Sequence, residues 1–347
     1  MLLELNVIEG AYLQDLLAQP EALRRSLEGF EATGELKRFA QALDSYERIV
    51  LTGMGSSLFA LYPLHLTLAD RGYPSLLIEA SELIHYLPGV LTAQTLVIAV
   101  SQSGQSAEVL RLLQLVQGRA PLIAITNTAA SPLANQADAA ILLQAGPESS
   151  VSCKTYVASL LALEWLAAVL TGKDLAQTKA VLKLAAPAAQ SYLSNWKSHV
   201  VELGPVVAGI DQIFVAGRGP SVATAQTGGL ILKESTRCSA EGMSCAAFRH
   251  GPFEMLTAKV LVLILAGDSQ SEAMNRRLAA DVQQAGGRAV VIDDRSPAKV
   301  FRIPSAPQPI LPVLEILPVQ MVSLALAARS GREAGVFQLA TKVTTVE

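Results

Sequence analysis

The sequence predicts an α/β fold: two tandem copies of a doubly wound, mainly parallel sheet with helices on both faces. Short aliphatic runs end at Gly, Ser, Asn or Asp and do not alternate in polarity, the pattern of strands covered on both sides. Helix-length segments lie between these runs, giving the alternation expected of right-handed crossovers. The same order of motifs then occurs a second time along the chain.

The elements follow in order. Residues 1–45 read as an N-terminal helical arm, with Leu23, Leu27 and Phe30 at amphipathic spacing. Strands are expected at 48–52, 96–100, 121–125 and 140–143, then at 212–216, 259–266 and 288–292. Helices are expected at 58–70, 106–117, 154–171, 221–236, 271–285 and 319–328. Arg48-Ile-Val-Leu-Thr-Gly-Met-Gly55 corresponds to Gln212-Ile-Phe-Val-Ala-Gly-Arg-Gly219. The runs beginning at Leu96 and Pro121 correspond to those beginning at Leu261 and Arg288, so the three offsets are 164, 165 and 167 residues. One domain is therefore expected over 46–180 and a second over 200–347, joined by an Ala/Lys/Gln-rich helical stretch around Pro187.

Composition narrows the class. Of 347 residues, 51% are hydrophobic, 16% charged and 5% aromatic, at a mean hydropathy of +0.37. That excludes a disordered chain. The apolar stretch 157–171 contains Glu164, and no run of about 18 uncharged apolar residues exists. The N-terminus lacks the basic and apolar regions of a signal peptide, so a soluble cytoplasmic protein without a membrane partner is expected. A net charge of −3 without a basic stripe argues against nucleic acid. Cys153, Cys238 and Cys245 form no disulfide framework or zinc pair, and His65, His85, His199 and His250 are isolated, so no metal or cofactor is expected.

Chemistry should lie beyond the strand C-termini, where open parallel sheets bind ligands. Gly53-Met-Gly55-Ser56-Ser57 follows one strand and Ser101-Gln102-Ser103-Gly104-Gln105-Ser106-Ala107-Glu108 follows another. Either loop alone reads equally well as a helix cap. Two serine-rich loops on one sheet point to a phosphate, held by hydroxyls, backbone N–H groups and helix N-termini. The Gly-x-Gly of the first loop, with Glu79 further on, also suggests a dinucleotide site, but the third glycine of that fingerprint is missing. The serines favour a phosphomonoester.

Together these motifs resemble the sugar isomerase (SIS) domain. Residues 40–347 resemble the tandem-SIS isomerase half of glucosamine-6-phosphate synthase and its stand-alone relatives: ketose/aldose isomerases, amino-sugar-phosphate deaminases and fructosamine-type deglycases. The resemblance rests on the two serine loops, Glu79-Ala-Ser-Glu82, Gly217-Arg-Gly219, Leu232-Lys-Glu234, Arg249-His-Gly-Pro252 and Lys342-Val-Thr-Thr-Val-Glu347, all in family order. It implies that Ser56, Ser57, Ser101, Gln102, Ser103 and Ser106 cradle a sugar 6-phosphate. It implies that Glu234 moves a proton between C1 and C2, and that His250, supplied by the partner copy of a homodimer, opens the sugar ring. Lys342 would close over the substrate, and Val151 falls where the family touches the sugar, in a stretch one residue shorter than usual.

The departures shape the expected activity. Ile231 replaces a lysine three residues before Glu234, Phe248-Arg-His-Gly-Pro252 is closer to the deaminase and ketose-isomerase relatives, and Phe337-Gln-Leu339 replaces Pro-Arg-Asn. No glutaminase domain precedes residue 40, so glutamine-dependent synthesis is not expected of this chain alone. An amino-sugar-6-phosphate deaminase/isomerase is expected. A deglycase, a plain ketose/aldose phosphate isomerase and a non-catalytic sugar-phosphate sensor are the alternatives.

Local sequence leaves Glu234 open between a solvated helix end and a half-buried base whose pKa is raised. Gly228 and Gly229 in the same helix cost about 1 kcal/mol each relative to alanine, which close packing against ligand or partner would offset. His65, His85 and His199 are expected to be structural, Cys153 and Cys238 small buried residues, and Trp165 and Trp196 packing residues.

Overall fold

The computed structural model describes residues 5–339, 341 and 342. Two parallel sheets carry the fold. The first contains β1 (Arg48–Gly53), β2 (Ser75–Glu79), β3 (Thr95–Ser101), β4 (Leu122–Thr126) and β5 (Ala139–Leu142), in the order β2-β1-β3-β4-β5. The second contains β6 (Gln212–Gly217), β7 (Ser239–Ser244), β8 (Val260–Leu265) and β9 (Arg288–Ile292), in the order β7-β6-β8-β9. The seven expected strands are all present, within two residues at either end.

β2 and β7 were not anticipated. Both are edge strands, where half the surface meets solvent and the aliphatic signal weakens. β7 reads Ser-Ala-Glu-Gly-Met-Ser and buries only Ala240 fully.

Helices cover the sheets. Those that matter below are α1 (Ala11–Leu17), α2 (Ser56–Ala60), α3 (Ala107–Val116), α4 (Lys154–Leu170), α5 (Ser221–Thr236), α6 (Cys245–Arg249), α7 (Glu272–Gln284) and α8 (Leu311–Arg329). The N-terminal arm is helical, and Leu23, Leu27 and Phe30 are buried, as their spacing requires. α8 starts eight residues earlier than expected because it runs through Pro318 instead of beginning after it. Pro312 sits in its first turn, where a missing N–H costs nothing. This helix, not 157–171, is the segment long and apolar enough to span a membrane, but 89% of its apolar window is buried inside the protein. It is a core helix.

The chain divides into two compact units. Of the described residues, a first-copy unit comprises 21–147, 154–183, 339, 341 and 342, and a second-copy unit comprises 5–20, 148–153 and 184–338. The first core gathers Val97, Ala99 and Leu122 of the sheet with Val109, Leu112 and Leu113 of α3. The second gathers Phe214, Val262 and Ile264 with Phe248 of α6 and Leu278 and Val282 of α7.

The glycine pair in α5 has a structural cause within the chain itself. A Cβ on Gly229 would lie 2.3 Å from the Gly242 amide nitrogen of β7. A Cβ on Gly242 would lie 1.9 Å from the Ala225 carbonyl oxygen of α5. Helix and edge strand thus approach until their backbones touch, while a Cβ on Gly228 would meet side-chain methyls of Val319 at 3.1 Å and Val215 at 3.4 Å. Neither a ligand nor a partner is needed to account for these glycines.

Gly229→Ala should therefore destabilise the protein by about 1–3 kcal/mol, the usual cost of overpacking. Gly34→Ala, with nothing within 4 Å of the added carbon, should leave it unchanged or slightly stabilised. Thermal or urea unfolding of the two variants checks the contrast.

Candidate functional site

The strand order of the first sheet reverses between β1 and β3, which makes the mouth between their C-terminal ends its switch point. β1 ends at Gly53, where a Cβ would come 2.9 Å from the Val100 carbonyl oxygen and 3.1 Å from the Leu58 amide. The chain turns through Gly55 (φ 51°) into α2. After β3, Gly104 adopts φ 64°, and a Cβ there would strike the Ser131 hydroxyl at 2.3 Å. Both loops are thus folded tightly over the strand ends by glycines that nothing larger can replace.

The serine loop is braced from inside. The Gly104 amide donates to Ser101 Oγ at 3.1 Å and the Gln105 amide to Ser103 Oγ at 3.4 Å. Ser106 is the N-cap of α3, its Oγ accepting from the Val109 amide. The Gln102 carbonyl accepts from the Asn127 amide and from Thr126 Oγ1, tying the loop to the end of β4.

These loops enclose a cavity of about 190 Å³ that Ser57, Ser101, Gln102, Ser103, Ser106 and Lys342 line together. That is below the roughly 300 Å³ of the smallest drug-sized pockets and suits a compact head group. Ser56 is buried in the first turn of α2 and is not part of the lining. Two lining groups escaped the sequence reading. Glu108 is buried with its Oε2 unpartnered, and Thr52 Oγ1 is likewise unpartnered. Lys342, the N-terminus of α3 and the loop N–H groups share this cavity with Glu108.

Glu234 and Val151 lie in the second-copy unit. Glu234 is half-buried, two residues before the end of α5, behind fully buried Ile231 and Leu232. Its helix end is not a free, solvated one. The Ser235 carbonyl accepts from the Gly335 amide at 3.1 Å, and the Gly335 carbonyl accepts from the Ser150 hydroxyl at 2.7 Å. Gly335 is at φ 77°, and a Cβ there would lie 2.2 Å from Ser150 Oγ and 2.9 Å from Tyr12 Cβ.

Segment 148–153, with fully buried Val151 inside it, is held at three points. Besides the Ser150 bond, the Ser149 amide donates to Asp15 Oδ2 of α1 at 3.0 Å, and the Cys153 amide to Glu148 Oε1 at 2.9 Å. Tyr12 of α1 is buried and hydrogen-bonds the Ser323 hydroxyl at 3.2 Å. Burial pushes its phenol well above the ordinary value, and the charges of Cys153, Glu234 and Glu148 add to the effect. Tyr12 therefore stays a neutral phenol. Tyr12, Asp15 and Gly335 carry no motif and could not have been found from the sequence.

His250 is exposed, just beyond α6 and before Gly251 at φ 132°. His199 stacks on Tyr192 at 4.5 Å, and Trp165 is buried, in keeping with structural roles. Cys153 is buried and Cys238 partly so. Among the described residues no group of three or more His, Cys, Asp or Glu could hold a metal.

A doubled parallel sheet with a hydroxyl-lined cavity at one switch point defines a tandem α/β protein. More particularly, residues 42–169 and 207–330 both match the SIS domain, and the chain belongs to that family. The chain is 28% identical over 350 residues to the glutamine–fructose-6-phosphate aminotransferase (isomerizing) of Pyrococcus horikoshii, a match spanning 98% of this chain and 58% of that protein. The fold is shared with the C-terminal domain of glucosamine-fructose-6-phosphate aminotransferase from Francisella tularensis (TM-score 0.83, 20% identity, 95% of this chain and 99% of that one). It is also shared with a glucosamine-6-phosphate deaminase from Thermotoga maritima (TM-score 0.79, 18% identity, 97% and 100%).

Lys342→Ala should weaken binding of hexose 6-phosphates by about tenfold, the loss of one charge-assisted contact. Titration calorimetry with fructose 6-phosphate and, as control, fructose measures it.

Proposed function

We propose that the chain is a phosphosugar aldose/ketose isomerase that acts on an amino-sugar 6-phosphate and releases ammonia. The observation that carries the reading is the small switch-point cavity in which serine hydroxyls, Gln102 and Lys342 converge, a constellation suited to a phosphate ester. Family membership supports a phosphosugar as its owner. The names of the relatives, an isomerizing aminotransferase and a glucosamine-6-phosphate deaminase, support nitrogen at C2.

In this reading the 6-phosphate is held by the serine loops, with Lys342 over it. His250 of the partner subunit, in a homodimer, moves the proton from the anomeric hydroxyl to the ring oxygen and opens the ring. Glu234 then takes the proton from C2 of the aldehyde, giving an enolamine, and returns it to C1. The C2 imine so formed adds water, the C2–N bond breaks, and ammonia leaves a ketose 6-phosphate. Tyr12, neutral and buried beside Glu234, supports a carboxylate held in a partly dry setting.

Incubation with glucosamine 6-phosphate should yield ammonia and fructose 6-phosphate in equal amounts. Glu234→Gln should lower turnover by at least about a thousandfold while changing substrate affinity little, as expected of an acid–base group. Ketose–aldose interconversion without ammonia would move the activity to a plain isomerase, and a thermal shift with hexose 6-phosphates but no turnover would make the chain a sensor.

A further inference from the structure

The N-terminal helix α1 is more than two hundred residues from Glu234 in the chain, yet two short series of contacts join them. Tyr12 and Asp15 lie three residues apart and so share one face of α1. Both are buried, at 1% and 6% exposure. Tyr12 packs against Gly335, where an added Cβ would lie 2.9 Å from Tyr12 Cβ. The Gly335 amide in turn caps the carbonyl of Ser235, the residue after Glu234. Asp15 accepts from the Ser149 amide, and the neighbouring Ser150 hydroxyl donates to the Gly335 carbonyl. Both routes converge on Gly335 and, through it, on the last turn of α5.

That turn needs outside support. The last carbonyls of a helix have no partner within it. Arg237 ends α5 at φ 57°, a left-handed conformation that residues other than glycine seldom adopt. The arm that supplies the support is itself docked in one register. Tyr12 bonds Ser323 of α8 at 3.2 Å, and Gln19 exchanges two amide hydrogen bonds with Gln320 of α8, at 2.9 and 3.2 Å. Gln19, Gln320 and Ser323 are fully buried. A slip of α1 along α8 would leave these groups unpaired away from water, so the pairing fixes where Tyr12 and Asp15 stand.

We propose that α1 is the positioning element of Glu234: Asp15, through Ser149 and Ser150, and Tyr12, through Gly335, hold the last turn of α5 in the geometry proton transfer requires. The proposal rests on Glu234 being the base. A displacement of about 1 Å at a reacting group can cost about a hundredfold in rate, even when the cause is remote. The serine cavity lies in the first-copy unit, so loosening α1 should lower kcat and spare the grip on phosphate.

Steady-state turnover of glucosamine 6-phosphate by the full chain tests this, with binding sites counted by calorimetric titration of fructose 6-phosphate. Asp15→Ala should lower kcat per binding site by about 10–100-fold and change KM by less than about threefold. Asp15→Asn, whose amide oxygen can still accept from the Ser149 amide, should return kcat to within about threefold of the unaltered protein. Counting sites removes any loss of folded protein from kcat, and rescue by asparagine separates a held geometry from a general loss of stability. Gly335→Ala forces a side chain into a left-handed position against Ser150 and should lower kcat in the same way, which keeps the test open if Asp15→Ala does not fold. Unchanged kcat per site in Asp15→Ala or Gly335→Ala, or an Asp15→Asn variant as slow as Asp15→Ala, would overturn the proposal alone. An unaltered protein that turns over no sugar phosphate would remove the functional reading and this proposal with it.

Discussion

Strands covered on both faces are the constraint from which the rest of this chain follows. β4 and β8 are buried at every residue, and β1, β3 and β6 at every residue but one. Such strands leave no face on which to mount polar chemistry. Chemistry is driven to the strand ends, and among those to the carboxyl ends, where helix N-termini point their N–H groups at the mouth. The turn from strand to helix must then be very tight. At Gly53 a side chain would meet the Val100 carbonyl at 2.9 Å, and at the corresponding Gly217 it would meet the Ser221 carbonyl at 2.8 Å. The two copies share this solution because they share the constraint, not because they share a ligand.

The same physics decides what was legible in the sequence. Central strands announced themselves because burial on both faces demands continuous aliphatic runs, so β1, β3, β6 and β8 could be read almost to the residue. Edge strands need only one buried face and are free to carry Glu241, Gly242 and Ser244, so β7 had no signature. Missing β7 also misdirected the reading of Gly229, whose place in a helix is explained by the strand it touches. The serine loops were legible as a pocket because sequence-local turns place them at adjacent strand ends. Glu108 lay in plain view within that motif, yet only its burial beside the serines shows that it shares their cavity.

The neighbourhood of Glu234 illustrates the opposite case. Lys233, Glu234, Thr236 and Arg237 look like an exposed helix end, and locally that is the economical reading. What changes it is long-range. Gly335, nearly a hundred residues on, caps the Ser235 carbonyl, Ser150 clasps Gly335, and Tyr12 packs against the same glycine. No periodicity or spacing links these positions, because each contributes one short-range contact from a different part of the chain. The result is a carboxylate that is half-buried at a fixed helix end instead of one fraying into solvent.

The two copies differ at the carboxyl edges of their sheets. In the first copy, the positions after β3 are two serines and a glutamine, which bring neutral hydroxyls to the cavity that Glu108 and Lys342 also line. In the second copy those positions are Ala266, Gly267 and Asp268, and Ser221, the counterpart of Ser57, spends its hydroxyl on Glu315. Replacing hydroxyls by carboxylates changes the polar groups at this edge while leaving the sheet, the tight glycine turn and the helix N-termini intact. A hydroxyl-lined edge and a carboxylate-lined edge can therefore arise from one fold by changes confined to loop residues, since the buried strands tolerate little else. The polar groups at the carboxyl edge, not the architecture beneath it, are where the two copies have parted.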